Sequence, residues 1–120
     1  MTGFVFTGGA LTCDGVNLSK VVESEGTPLY VYSAALIAER YSALDAAVGD
    51  YPHRIHYALK ANSTLGIVRL ISRIGAAVDA NSWGEIAVAC RASVPPEDIV
   101  FTGVGKTDAE LTQAVSLGIK

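Results

Sequence analysis

Charge and sulfur are both scarce in this chain. Only 18% of its 120 residues are Asp, Glu, Lys or Arg, and it has two cysteines, one methionine and one tryptophan. Two cysteines, Cys13 and Cys90, cannot build a disulfide framework, and neither has a Cys or His close by at metal-ligand spacing. A disulfide-stapled miniprotein, a zinc finger and a metal site are therefore set aside. Cys90 lies in an apolar helical stretch and is expected to be a buried small hydrophobe. Nine Lys and Arg against twelve Asp and Glu leave a net charge of −3. That balance lacks the basic face with which a protein tracks nucleic-acid phosphates. Apolar runs are short and interrupted, and Met1-Thr2-Gly3-Phe4 has neither a basic n-region nor an apolar h-region. Neither a membrane span nor a secretory leader is readable, which makes a cytoplasmic setting the expectation. What is plentiful is apolar surface: half the residues are hydrophobic, too many for a disordered chain.

Strand and helix signals alternate from about residue 28. Pro28-Leu29-Tyr30-Val31-Tyr32-Ser33 reads as a strand ending in an N-cap serine. Ile37, Tyr41, Leu44 and Val48 then fall on one helical face, which Gly49-Asp50-Tyr51-Pro52 breaks. Residues 55–60 read as a short strand, followed by a helix with Ile67, Val68, Ile71 and Ile74 inside and Gly75 at its end. Residues 76–80 form a small-residue strand, and Ser82-Trp83-Gly84-Glu85 has the spacing of a capping box. Residues 99–102 give a third strand. Thr107-Asp108-Ala109-Glu110 is a second capping box, opening a helix through Leu111, Ala114 and Val115 to Gly118. This alternation predicts an α/β fold with a parallel sheet, either the start of a barrel or an open sheet.

Residues 1–27 read differently, as a separate β region with Gly-rich turns around Phe4-Val5-Phe6 and Val21-Val22. Gly118-Ile119-Lys120 resembles the lead into another strand. Three βα units leave an uncovered sheet edge, so the chain is expected to be the N-terminal piece of a larger protein.

The chemistry concentrates in His56-Tyr57-Ala58-Leu59-Lys60-Ala61-Asn62. On a strand, residues two apart share a face, which sends His56, Ala58 and Lys60 one way and Ile55, Tyr57 and Leu59 the other. Lys60 then stands at the strand's C-terminal end above a small alanine, where barrel active sites are built. Most lysines are solvated surface residues. The apolar residues around Lys60 favour instead a semi-buried amine of lowered pKa, suited to imine formation. Asp79 shares the face of Ala77 on the next strand, and a carboxylate there favours a protonated nitrogen nearby. The bland alternative for Asp79 is a strand-end residue bonded to a turn. For Glu85 it is the capping box, of equal weight. His56 reads as a packing histidine and His53 as a solvated turn residue. Gly103-Val104-Gly105-Lys106-Thr107 is not a P-loop, because G-x-x-x-x-G-K-[ST] needs a glycine at position 100, which is Val.

Tyr57-Ala58-Leu59-Lys60-Ala61-Asn62 resembles the Y-A-x-K-A-N signature of the fold-type III decarboxylases, which depend on pyridoxal 5'-phosphate. Pro28-Leu29-Tyr30-Val31-Tyr32, the segment from Val78-Asp79 through Ser82-Trp83-Gly84-Glu85, and Phe101-Thr102-Gly103 through Lys106-Thr107 with Glu110-Leu111 are similar to further stretches of that family, in the same order. Within the family the set is most similar to the bacterial branch that converts meso-diaminopimelate to L-lysine and CO2. Relatives acting on ornithine, arginine or carboxynorspermidine are the alternative, as is a truncated chain without catalysis. The resemblance implies the first three units of a (β/α)8 barrel over residues 34–120. Residues 1–33 would be a β segment of a second, β domain. It implies that Lys60 is the catalytic residue that forms the imine with the cofactor, and that Ala58, Asp79 and Glu85 line the cofactor with it. It further implies a small amino-acid substrate, no nucleic-acid or membrane partner, and a homodimer at full length whose partner subunit completes the site. The 120-residue chain alone is expected to be inactive.

Overall fold

A computed structural model describes residues 2–120; Met1, with which the expected 1–33 segment begins, lies outside the described residues. The chain forms two compact units, one running to Ala47 and the other from Val48 to Lys120.

In the first unit β1 (Phe4–Thr7) pairs antiparallel with β2 (Ala10–Cys13), which pairs with β3 (Val16–Asn17). Both connections are two-residue turns, Gly8-Gly9 and Asp14-Gly15, with positive φ at all four positions. That conformation matches the twist of paired strands and favours Gly, Asn and Asp. β3 runs directly into α1 (Leu18–Glu25), whose start is capped by the Asn17 side chain accepting from the Ser19 N–H at 2.9 Å. Val21 and Val22 are therefore helical rather than part of a β region. The cap and the spacing of Leu18, Val21 and Val22 outweigh the β preference of two valines.

The expected strand at 28–33 is also corrected. This segment forms no strand and pairs with none among the described residues, and Tyr30 is 87% exposed. Its composition suits a strand, but a strand exists only where a neighbour accepts its backbone hydrogen bonds. Ser33 does cap the next helix, α2 (Ala34–Val48), accepting from the Leu36 N–H at 3.0 Å. No residue of α2 is buried, and Leu44 and Val48 are exposed. Helical spacing marks an apolar stripe; burial requires an element packed against it.

Asp14 ties the hairpins to that helix. Its carboxylate accepts from the Gly3 N–H at 2.7 Å, the Ser33 hydroxyl at 2.8 Å and the Ala35 N–H at 3.1 Å. An anion at the first turn of a helix also meets the positive end of its dipole.

The second unit carries the expected alternation. Strands β4 (His56–Ala58), β5 (Ala77–Ala80) and β6 (Ile99–Phe101) form a parallel sheet in that order. They alternate with α3 (Leu65–Arg73), α4 (Trp83–Arg91) and α5 (Asp108–Leu117). Helix α5 opens with a complete capping box between Thr107 and Glu110. One core joins Val78 and Ala80 of β5 and Ile99 of β6 to Val68, Ile86, Ala89 and Ala114 of the helices, with Tyr57 and Phe101 packed on it. Val68, Val78, Ile86 and Ile99 are fully buried, and burying side chains of this size contributes about 1.5–3 kcal/mol each. Strand alternation leaves His56, Ala58, Ala77, Asp79 and Val100 on the opposite face. Beyond α5, the Lys120 N–H donates to Ile99 O at 3.1 Å and Lys120 O accepts from the Phe101 N–H at 2.8 Å, extending the parallel ladder past β6.

Two further expectations are corrected here. Cys90 is exposed, because α4 buries Ile86 and Ala89 and Cys90 lies about 100° around the helix from Ala89. Residues 55–60 are not one strand either. β4 stops at Ala58, and Leu59–Ala61 make a single 3₁₀ turn.

Candidate functional site

The three parallel strands end on one side of the sheet, and the residues singled out by their chemistry follow those ends. In open and closed parallel sheets that edge is where ligands bind, because loops there vary freely on a rigid frame. Its centre is a pairing of small and charged residues: Ala58 of β4 and Asp79 of β5 are partners in the parallel register. Ala58 adds only a methyl beside the carboxylate. Asp79 sits next to Val100 of β6 on its other side.

Lys60 follows β4 by two residues, in the 3₁₀ turn. The expected pleat therefore ends before the lysine is reached, and Lys60 is exposed rather than semi-buried. The turn still keeps Leu59 fully buried in the core, which fixes the backbone on which Lys60 is carried. Among the described residues the Lys60 ammonium makes no hydrogen bond or ion pair, which leaves the amine accessible. The turn is held from behind by Tyr57, whose hydroxyl donates to Asn62 O at 3.0 Å.

Asp79 is half-buried and its Oδ1 accepts from the Thr102 hydroxyl, one residue beyond β6. Thr102 Oγ1 in turn accepts from Asn81 Nδ2 at 2.9 Å. The Thr102 N–H donates to Ala80 O at 3.0 Å, which sets the two strand ends in register. Glu85 reaches the same place from the first turn of α4, its Oε2 accepting from the Asn81 N–H at 2.7 Å. The expected capping box at 82–85 is thus half formed. Ser82 Oγ accepts from the Glu85 N–H at 3.2 Å, but the Glu85 carboxylate turns to residue 81 instead of 82. Lys106 is committed elsewhere, donating to Gly103 O and lying 5.0 Å from the Phe101 ring centroid. His56 is exposed rather than packed into the core, and its ring keeps only a long contact, Nδ1 to Val78 O at 3.5 Å.

Sequence reasoning thus places Ala58, Asp79 and Glu85 on one edge with the turn that carries Lys60. It misses Asn81 and Thr102, which knit that edge together. Their signal is modest: a polar residue directly after each of two strands rich in small or apolar residues.

Residues 34–120 match the family described as pyridoxal-dependent decarboxylase, pyridoxal binding domain. The diaminopimelate decarboxylase of Vibrio cholerae is 46% identical over 112 residues, covering 93% of this chain and 27% of that protein. A crystal structure from Aquifex aeolicus superposes with a TM-score of 0.86 at 44% identity, covering 97% of this chain and 28% of that one. The diaminopimelate decarboxylase of M. jannaschii, solved with L-lysine, superposes with a TM-score of 0.84 at 31% identity, covering 99% of this chain and 30% of that one. The chain spans less than a third of the length of each of these relatives. The chain thus belongs to the pyridoxal-dependent decarboxylases, with residues 34–120 matching their pyridoxal binding domain.

Proposed function

We propose that this chain is part of a pyridoxal 5'-phosphate-dependent decarboxylase that converts meso-diaminopimelate to L-lysine and CO2. The observation that carries the reading is the strand register. It pairs Ala58 with Asp79 at the sheet edge where the Lys60 turn begins. The relatives named diaminopimelate decarboxylase support the choice of substrate.

The donor set suits the aldehyde end of the cofactor. A primary amine free of partners condenses with an aldehyde, losing water, so Lys60 Nζ would be the covalent anchor. The Asp79 carboxylate would orient and hold a proton on nitrogen through charge and hydrogen bonding. Ala58, beside Asp79, leaves room for a flat ring, and Glu85 keeps the adjoining loop in place through the Asn81 N–H. Bound there, the cofactor supplies a conjugated ring that takes up the electron pair left when the Cα–carboxylate bond of an amino acid breaks. The Lys60 amine would also stand at the site as a group that can carry a proton.

The wider architecture belongs to the same proposal. Residues 34–120 would be the first three units of a (β/α)8 barrel, and residues 1–33 a segment of a β domain. The full-length protein would act as a homodimer on a small amino acid.

Borohydride reduction of the cofactor-loaded full-length protein tests the anchor. The pyridoxyl label is expected on the peptide containing Lys60; a label on Lys20 or Lys106 overturns the assignment. Release of CO2 from meso-diaminopimelate, measured against ornithine and arginine, tests the substrate. Faster turnover of either of those two overturns it.

A further inference from the structure

The Asp79–Thr102–Asn81 chain has a fixed direction. A carboxylate only accepts hydrogen bonds, so the single Thr102 proton is committed to Asp79 Oδ1. Thr102 Oγ1 can then only accept from Asn81, which obliges Asn81 to turn its NH₂ group toward Thr102. The consequence appears at the other end of the amide. Asn81 Oδ1 is sealed from solvent with no hydrogen-bond partner among the described residues. An acceptor left buried and unpaired is unfavourable, and native structures keep few of them. Here the orphan is the cost of pointing a donor at Thr102. The Asn81 backbone is separately held, its N–H donating to Glu85 Oε2 at 2.7 Å, so the amide cannot simply swing away.

We propose that Thr102 and Asn81 are positioning residues that hold the Asp79 carboxylate in one orientation beside β4, the strand that leads into the Lys60 turn. This rests on the reading of Lys60 and Asp79 as cofactor-binding residues. Neither Thr102 nor Asn81 needs to touch the cofactor. Thr102 fixes which oxygen of Asp79 remains free to face nitrogen, and Asn81 fixes the rotamer of Thr102.

The test uses full-length protein, both cofactor-loaded and cofactor-free. Thr102→Val keeps the shape and removes the hydroxyl. It is expected to lower kcat for meso-diaminopimelate about tenfold, the scale of one hydrogen bond to a charged group, with KM changed less than about twofold. Thr102→Ser, which keeps the hydroxyl, is expected to restore turnover. In an Asp79→Asn background, Thr102→Val should cost less than about twofold, because residues acting through one another are not additive. In cofactor-free protein the carboxyl carbon resonance of Asp79 should move with Thr102→Val and return with Thr102→Ser. Equal losses from Thr102→Val in both backgrounds, or an unmoved Asp79 resonance, overturn the proposal. If Asp79→Asn alone leaves turnover and cofactor absorbance at parental values, the underlying reading of Asp79 fails, and this proposal with it. An impaired Asp79→Asn beside an unimpaired Thr102→Val overturns the positioning role alone.

Discussion

Gly103 lies so close to Asn81 that a Cβ on residue 103 would stand 1.9 Å from Asn81 O and 2.6 Å from its carbonyl carbon. The neighbour is backbone, held by Glu85 on one side and by the end of β5 on the other, so it cannot yield as a side chain would. Gly103→Ala is therefore expected to destabilise the protein by at least about 1–3 kcal/mol, the usual range for overpacking. Denaturant unfolding measures this, and a parental midpoint would contradict the close approach. Because residue 103 follows Thr102 directly, the substitution should also displace the Thr102–Asp79 hydrogen bond.

Lys60 presents the opposite case, an exposed residue on a buried footing. Its neighbour Leu59 is fully buried while its own side chain touches no partner among the described residues. Lys60→Ala is expected to change stability by no more than about 0.5 kcal/mol, as at ordinary surface positions. It should also abolish both cofactor absorbance and borohydride labelling of this site. A thermal scan beside an absorbance spectrum separates the two effects. A large fall in Tm would mean that the lysine serves the fold.

Local chemistry carried much of this into the sequence, and non-local pairing accounts for what it did not carry. The βα alternation is legible because Val78 and Ala80 alternate with Ala77 and Asp79, and because Thr107 and Glu110 stand at capping distance. Ala58 and Asp79 can be assigned to one face by counting residues; their partnership in the register cannot. The segment 28–33 fails as a strand for the same reason, since its composition is right and its partner is not a local property. Lys60 lies at the edge that strand counting indicates but in a 3₁₀ turn instead of a strand, a difference the sequence hides because Leu59 is buried in either conformation over so short a span. Thr102 and Asn81 meet across 21 positions of sequence, and no periodicity announces that contact.

Asp14 makes the first unit sensitive to acid. The Ser33 hydroxyl, followed by the Gly3 and Ala35 N–H groups, holds its carboxyl below the ordinary carboxylate value. A carboxyl whose folded pKa is depressed binds protons less readily when folded than when unfolded. Its stabilising contribution is therefore fully present above the unfolded value, about 4, and is lost as pH falls through the folded value. Acidification below about pH 4 should loosen the start of α2, seen as faster amide exchange at Ala35 and Leu36. Asp14→Asn keeps a residue tolerant of positive φ and removes the charge. It should flatten that acid dependence; an unchanged pH profile would show that Asp14 does not couple to it.

The two thiols should differ sharply in reactivity. Cys13 is buried at the end of β2, and burial raises its pKa, with the negative charge of Asp14 adding to the effect and the Ser33 hydroxyl working against it. Cys90 is exposed on the outer side of α4. Alkylation requires both access and thiolate, so under native conditions near pH 8 iodoacetamide should modify Cys90 at least about tenfold faster than Cys13. In denaturant the two rates should approach each other, because the burial that is the larger cause of the Cys13 shift is then lost. Asp14→Asn should narrow the native gap without closing it, since it removes the smaller of the two causes raising the Cys13 pKa and leaves the thiol buried. Peptide mapping after a short alkylation pulse reads all three conditions. Native modification of Cys13 at the rate of Cys90 would contradict the packing of the first hairpins against Ser33.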